Sequence, residues 1–129
     1  FCKTKRTSVA ANYLCENCPC PITFLGFEVS EQIRTGDVLK GRENDLVANA
    51  LKDHGSENGR FSWDPMLALL AITGNEKRAG YRTVSGKAMV DAETGANYFT
   101  QDENGTQCFV IKTELDDFYK SKINEILIK

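Results

Sequence analysis

Apolar residues in this chain fall into short clusters, and the spacing within each cluster sets the element expected there. Thr7 or Ser8 caps a helix whose Val9, Tyr13 and Leu14 share one face, and Cys18-Pro19-Cys20-Pro21 stops it. Ile22-Thr23-Phe24-Leu25 is an unbroken apolar run ending at Gly26, the pattern of a buried strand in an α/β sheet, and Phe27-Glu28-Val29 extends it. Ser30 caps a helix through Gln32 and Ile33 that ends near Gly36. Asn44 or Asp45 caps another, with Leu46, Val47, Ala50 and Leu51 on one face and Gly55 beyond its end.

The middle of the chain carries its most distinctive segment, Gly59-Arg60-Phe61-Ser62-Trp63-Asp64-Pro65, followed by Met66 to Ile72. Proline has no N–H and biases the residue before it away from helical geometry. A helix starting here therefore has Asp64 as its N-cap and Pro65 as its first residue. Met66, Leu67, Leu69, Leu70 and Ile72 make this helix apolar almost all round, so it should be central. Tyr81–Val84, Lys87–Asp91, Asn97–Thr100 and Gln107–Lys112 read as strands, with turns at Gly86, Gly95 and Gly105. A last helix from about Glu114 carries Leu115, Phe118, Tyr119, Ile123, Ile126 and Leu127 at helical spacing.

The 129 residues are enough for one domain, 1–129, with a real core. A hydrophobic content of 41% and a charged content of 26% describe a globular chain rather than a disordered one. The net charge of −2 is spread along the sequence, which argues against a nucleic-acid partner. No apolar run approaches the roughly 20 residues of a membrane span. There is no basic start and apolar core of a signal peptide, which leans toward the cytoplasm. The first residue, Phe1, is consistent with a processed or truncated product.

Cys15-x-x-Cys18 followed by Cys20 has the first spacing of a zinc site. No second such pair follows and the single histidine, His54, is distant, so zinc would need Cys2 or Cys108 and incidental thiols are favoured. Asn104-Gly105-Thr106 is a glycosylation sequon in form, but Asn-Gly is also a favoured turn and is read as one.

Two blocks stand in a telling order. Pro19-Cys20-Pro21-Ile22-Thr23-Phe24-Leu25-Gly26-Phe27-Glu28-Val29 with Ile33-Arg34-Thr35-Gly36 precedes Gly59-Arg60-Phe61-Ser62-Trp63-Asp64-Pro65. In this order and spacing they resemble the C-terminal part of the inosine-uridine preferring nucleoside hydrolase family. Val84-Ser85-Gly86 and Asp91-Ala92-Glu93-Thr94-Gly95-Ala96-Asn97 are similar to that family's closing segment. The resemblance spans nearly all of this chain but less than half of a typical member.

It implies an α/β fold that hydrolyses the N-glycosidic bond of ribonucleosides, with a calcium ion held by aspartates that binds the ribose hydroxyls and the attacking water. It further implies that Asp64 is a metal and substrate ligand and that Trp63, a histidine in many members, lines the base pocket. Tryptophan is no general acid, but it stacks on a purine.

The family's Asp-rich DxDxxxDD loop is absent from this sequence, and its Asn- and Glu-bearing ribose segment would precede Phe1. Calcium takes 6–8 oxygens, so Asp64 alone does not hold it and the remaining ligands must come from elsewhere. No residue is assigned as catalytic. A partial α/β fold also leaves a sheet edge open, so a homo-oligomer or a companion chain is expected.

Against these roles stand plainer ones. Asp64 as an N-cap is worth about 1 kcal/mol. Trp63 as a core aromatic, Glu28 as a solvated strand end, Arg60 as a partner for Glu57, and His54 at a helix C-terminus need no ligand. The rival reading is a non-catalytic binding or structural module that keeps part of the fold.

Overall fold

The computed structural model describes residues 5–129. Its elements are α1 (Lys5–Asn17), β1 (Ile22–Phe24), α2 (Phe27–Ser30), β2 (Arg34–Thr35), a 3-10 turn (Asp37–Leu39), α3 (Leu46–Asp53), β3 (Arg60–Phe61), α4 (Trp63–Thr73), α5 (Glu76–Ala79), β4 (Tyr81–Val90), β5 (Asn97–Gln101), β6 (Gln107–Lys112) and α6 (Asp116–Leu127). Helices combine with a mixed parallel and antiparallel sheet, which is the expected α/β class in its general form. Among the described residues, no helix is long and apolar enough to cross a membrane. The chain divides into two compact units, one from the residues up to Phe24 with Thr83–Val110, the other from Leu25–Arg82 with Ile111–Lys129.

The first unit is built on a four-stranded sheet in the order β1-β6-β4-β5. β1 runs parallel to β6, with Ile22 opposite Gln107 and Phe24 opposite Phe109. β4 runs antiparallel to β5, from Gly86 opposite Gln101 to Val90 opposite Asn97. The run at Ile22 is thus a three-residue edge strand with Thr23 exposed, not a buried one.

Helix α1 forms, but it already contains Thr7 and Ser8, the expected caps, and it presents another face. Val9, Tyr13 and Leu14 are exposed, while Ser8, Asn12 and Cys15, at i, i+4 and i+7, turn inward. Polar fastening decides this: Asn12 Nδ2 donates to Val90 O at 2.8 Å, and Gln107 Nε2 donates to Cys15 O at 2.7 Å. Expected turns are present at Gly95 (φ 74°) and at Asn104-Gly105, where the Asp102 carboxylate accepts the Asn104 N–H. Gly86 is not a turn. It sits inside the ten-residue β4, where a Cβ would lie 2.2 Å from Thr100 O, so the glycine serves a close backbone approach.

The second unit holds α2, α3, α4, α5 and α6 and the antiparallel β2–β3 ribbon, in which Arg34 opposes Phe61 and Thr35 opposes Arg60; α4 meets α2, α5 and α6, and α6 also packs on β2. Its core holds Val29, Ile33, Leu39, Met66, Leu69, Tyr81, Tyr119 and Ile123. Two expectations reverse here. Phe27-Glu28-Val29 is helical rather than extended, and the helix expected from Ser30 gives way to β2, because Ile33 O accepts the Ser62 N–H and Gly36 turns left-handed (φ 95°).

Asp45 caps α3, accepting from Val47 and Ala48 N–H groups, and Gly55 follows its end. The buried residue of α3, however, is Ala48, and Leu46 is 86% exposed. α4 buries Met66 and Leu69 but leaves Ile72 75% exposed, so its all-round apolar pattern marks a half-buried helix. α6 buries Tyr119, Ile123 and Asn124.

Candidate functional site

Trp63 and Asp64 are positioned by the start of α4, and that start is fixed by Ser62. Ser62 N–H donates to Ile33 O at 3.1 Å, and its carbonyl accepts the Met66 N–H at 2.8 Å. Its hydroxyl donates to Arg60 O at 2.9 Å, so the buried Thr35 hydroxyl donates to Ser62 Oγ at 2.8 Å. Ser62 is therefore the N-cap residue, Trp63 the first helical residue, Asp64 the second and Pro65 the third. This corrects the expected N-cap at Asp64 and first position at Pro65. The third position suits proline as well, because the first N–H groups of a helix have no intrahelical acceptor to lose.

Freed from capping, Asp64 is exposed and makes no hydrogen bond or ion pair with another described residue. Trp63 is half-buried in an aromatic cluster. Its ring stacks on Phe61 (centroids 5.4 Å apart, 11° between planes) and meets Phe27 at 5.6 Å and 40°. The Arg34 guanidinium lies 4.2 Å from the Phe61 ring centroid, a cation–π contact. Phe27 remains 50% exposed, so the cluster opens to solvent on that side.

The sequence points to Trp63 and Asp64 as site residues, but not to Phe27, Phe61 or Arg34. The Phe61-x-Trp63 spacing was a visible hint. The approach of Arg34 depends on its register opposite Phe61, which only strand pairing creates.

The other residues singled out in the sequence do not join this cluster. Glu28 is exposed on α2. Arg60 turns to His54, its Nη1 lying 2.8 Å from His54 Nδ1, while Glu57 pairs with Lys40 at 3.4 Å; the expected Arg60–Glu57 pair is replaced. His54 is the C-cap of α3, as its position suggested, and its ring also meets Ser56 Oγ at 2.8 Å. A concavity in the same unit, lined by Gly36, Leu39, Lys40, Arg42, Ala48 and Lys52 among others, includes neither Trp63 nor Asp64.

The metal expectations meet a plain test of donor supply. A calcium site needs several converging carboxylates. Among the described residues no group of three or more His, Cys, Asp or Glu side chains converges, and Asp64 offers two oxygens at most. These residues do not by themselves fit calcium. Cys15 is buried, and burial, with the Glu16 charge adding, raises its thiol above the ordinary range. Cys18 and Cys108 are half-buried and Cys20 exposed, all as free thiols, and Cys2 lies outside the described residues.

What the arrangement can do chemically is narrower and clear. A half-buried indole can receive a planar ring, and the adjacent exposed carboxylate can accept hydrogen bonds from hydroxyl or amino groups. No protein-family model matches this chain, and no curated protein or solved structure matches it either.

Proposed function

We propose that this chain is a nucleoside-hydrolase-like module in which Trp63 receives the base of a ribonucleoside and Asp64 the ribose hydroxyls. One observation carries the reading: an exposed carboxylate with no partner among the described residues follows directly on a half-buried indole at the start of one helix. Stacking on Phe61 holds the indole plane in place before a ligand arrives, which reduces the ordering cost of binding. Asp64 accepts hydrogen bonds from vicinal hydroxyls, and such charged acceptors contribute about 1.5–3 kcal/mol each.

On this reading the fold is the C-terminal portion of a nucleoside-hydrolase-like fold, and the activity it belongs to is hydrolysis of a nucleoside to ribose and free base. Calcium enters only where another segment or companion chain supplies the remaining carboxylates. The contribution of this chain is to bind and orient the nucleoside.

Trp63 is the sole tryptophan, so its fluorescence reports the site directly. Titration with inosine, guanosine and uridine is expected to change that emission saturably. Asp64→Ala is expected to weaken binding by about 10- to 100-fold, the equivalent of one charged hydrogen bond. Emission that ignores all three nucleosides, or affinity that Asp64→Ala leaves intact, defeats the proposal.

A second reading, a non-catalytic binding or structural module, draws on the lack of converging carboxylates around Asp64 among the described residues. Calorimetry with calcium and an assay of base release, each with and without a family N-terminal half, separate the two. The module predicts neither heat nor release in any combination.

A further inference from the structure

The sheet of the first unit ends on two unlike edges. β1 is three residues long and follows Pro19 and Pro21, and both brevity and proline discourage strand addition. β5, at the other edge, is Asn97-Tyr98-Phe99-Thr100-Gln101, with no charge, proline or glycine. It pairs with β4 on one side, and its outward backbone groups make no hydrogen bond to another described residue. Beside this open edge, Tyr98 and the Met89 opposite it lie on one sheet face, 62% and 43% exposed.

We propose that β5 pairs antiparallel with β5 of a second copy of this chain, about a two-fold axis at Phe99, so that one sheet continues through a homodimer. A self-complementary register points to a second copy as the occupant. With Phe99 opposite its own symmetry mate, Tyr98 faces Thr100, Asn97 faces Gln101 and Asp102 faces Ala96, each across the axis. No like charges meet, and the backbone edge is complementary to itself in this orientation. The two Tyr98 rings become diagonal neighbours, within the roughly 7–8 Å that aromatic side chains bridge across strands. The two Met89–Tyr98 pairs then adjoin as one strip and shield each other from water. This inference stands apart from the nucleoside reading, since it rests on a different unit of the chain.

Light scattering and sedimentation over about a hundredfold range of concentration test it, bracketing the micromolar affinities of weak dimers. The mass is expected to rise from 14.4 kDa toward twice that value, with amide exchange slowing at residues 97–101. Tyr98→Lys with Thr100→Lys sets lysines opposite lysines and is expected to hold the chain at 14.4 kDa, with the circular dichroism of dilute wild type. Tyr98→Lys with Thr100→Glu sets opposite charges across the axis and is expected to recover the dimer. Three results overturn the proposal: a wild-type mass of 14.4 kDa throughout, a dimer indifferent to both double variants, or concentration-dependent protection confined to other segments.

Discussion

Tyr119 is fully buried, and its hydroxyl gathers three backbone groups of the second unit. It donates to Gly80 O and accepts from the Thr113 and Glu114 N–H groups, each at 3.3 Å. Burial raises the pKa of Tyr119 despite those two donors, and burial together with Tyr119 raises that of Tyr81, whose ring lies 5.0 Å away. Tyr119→Phe keeps the ring and removes the hydroxyl. Because Thr113 N–H also reaches Gly80 O at 2.9 Å, part of the network survives. The expected loss is about 1–2 kcal/mol, read from the urea midpoint. Tyr81→Phe, which removes a single bond to the helical carbonyl of Met66, is expected to cost less. Equal stabilities of the two variants would contradict this account. Neither role is visible in the sequence, where Tyr81 reads as a strand residue and Tyr119 as one apolar position of the last helix.

At the scale of elements, Gln107 is the fastener of the first unit. Its Oε1 accepts the buried Ala88 N–H at 2.6 Å, and its Nε2 donates to Cys15 O at 2.7 Å, so one amide ties β6 to both β4 and α1. Gln107→Leu has similar volume but leaves a buried donor and a helical carbonyl without partners. The expected cost is about 2–4 kcal/mol, with faster amide exchange concentrated in the last turn of α1. Unchanged exchange in that turn would show that apolar contacts hold the helix instead.

The same amide explains why the sequence misread the buried face of α1. Apolar spacing pointed to Val9, Tyr13 and Leu14, but satisfying buried polar groups selected the face of Asn12 and Cys15. α3 shows a related failure, since Leu46 lies exposed at the helix start and the buried residue is Ala48. Strands fared better. β5 and β6 follow the expected Asn97–Thr100 and Gln107–Lys112 closely, because alternation and flanking turn residues are local signals.

At the scale of the molecule, each unit contains a carboxylate held in its charged form. Asp37 is pushed up by burial, but hydrogen bonds from Asn124 and Lys120, with the Lys120 charge, outweigh this and leave its pKa below the ordinary value. Asp91 is lowered by hydrogen bonds from the backbone and hydroxyl of Thr94 and the N–H of Glu93. A carboxylate whose folded pKa is depressed stabilises the native state above its unfolded pKa of about 3.9, and that contribution is lost as the pH falls through the folded value. The denaturation midpoint should therefore drop as the pH is lowered below about 4. Asp37→Asn should flatten part of that slope while leaving the charge-free Asn124 bond to the Gly36 N–H in place. A slope identical to that of the wild type would exclude Asp37 as a contributor.

By itself the sequence determined the mixed helix-and-strand character, the later strands, the start of α3 at Asn44 or Asp45 with Gly55 beyond its end, and the terminal helix. These follow from local propensity, turn chemistry and short-range periodicity, which a linear chain carries in full. Tertiary structure decided the rest. It moved the N-cap from Asp64 to Ser62, through bonds from Thr35 and to Ile33 and Arg60. It placed Phe27 and Phe61 around Trp63, and Arg34 over Phe61. It turned Gly86 from a corner into a crossing point. Each of these depends on a hydrogen bond or contact between residues far apart in sequence, whose free energy exists only once the chain has brought them together.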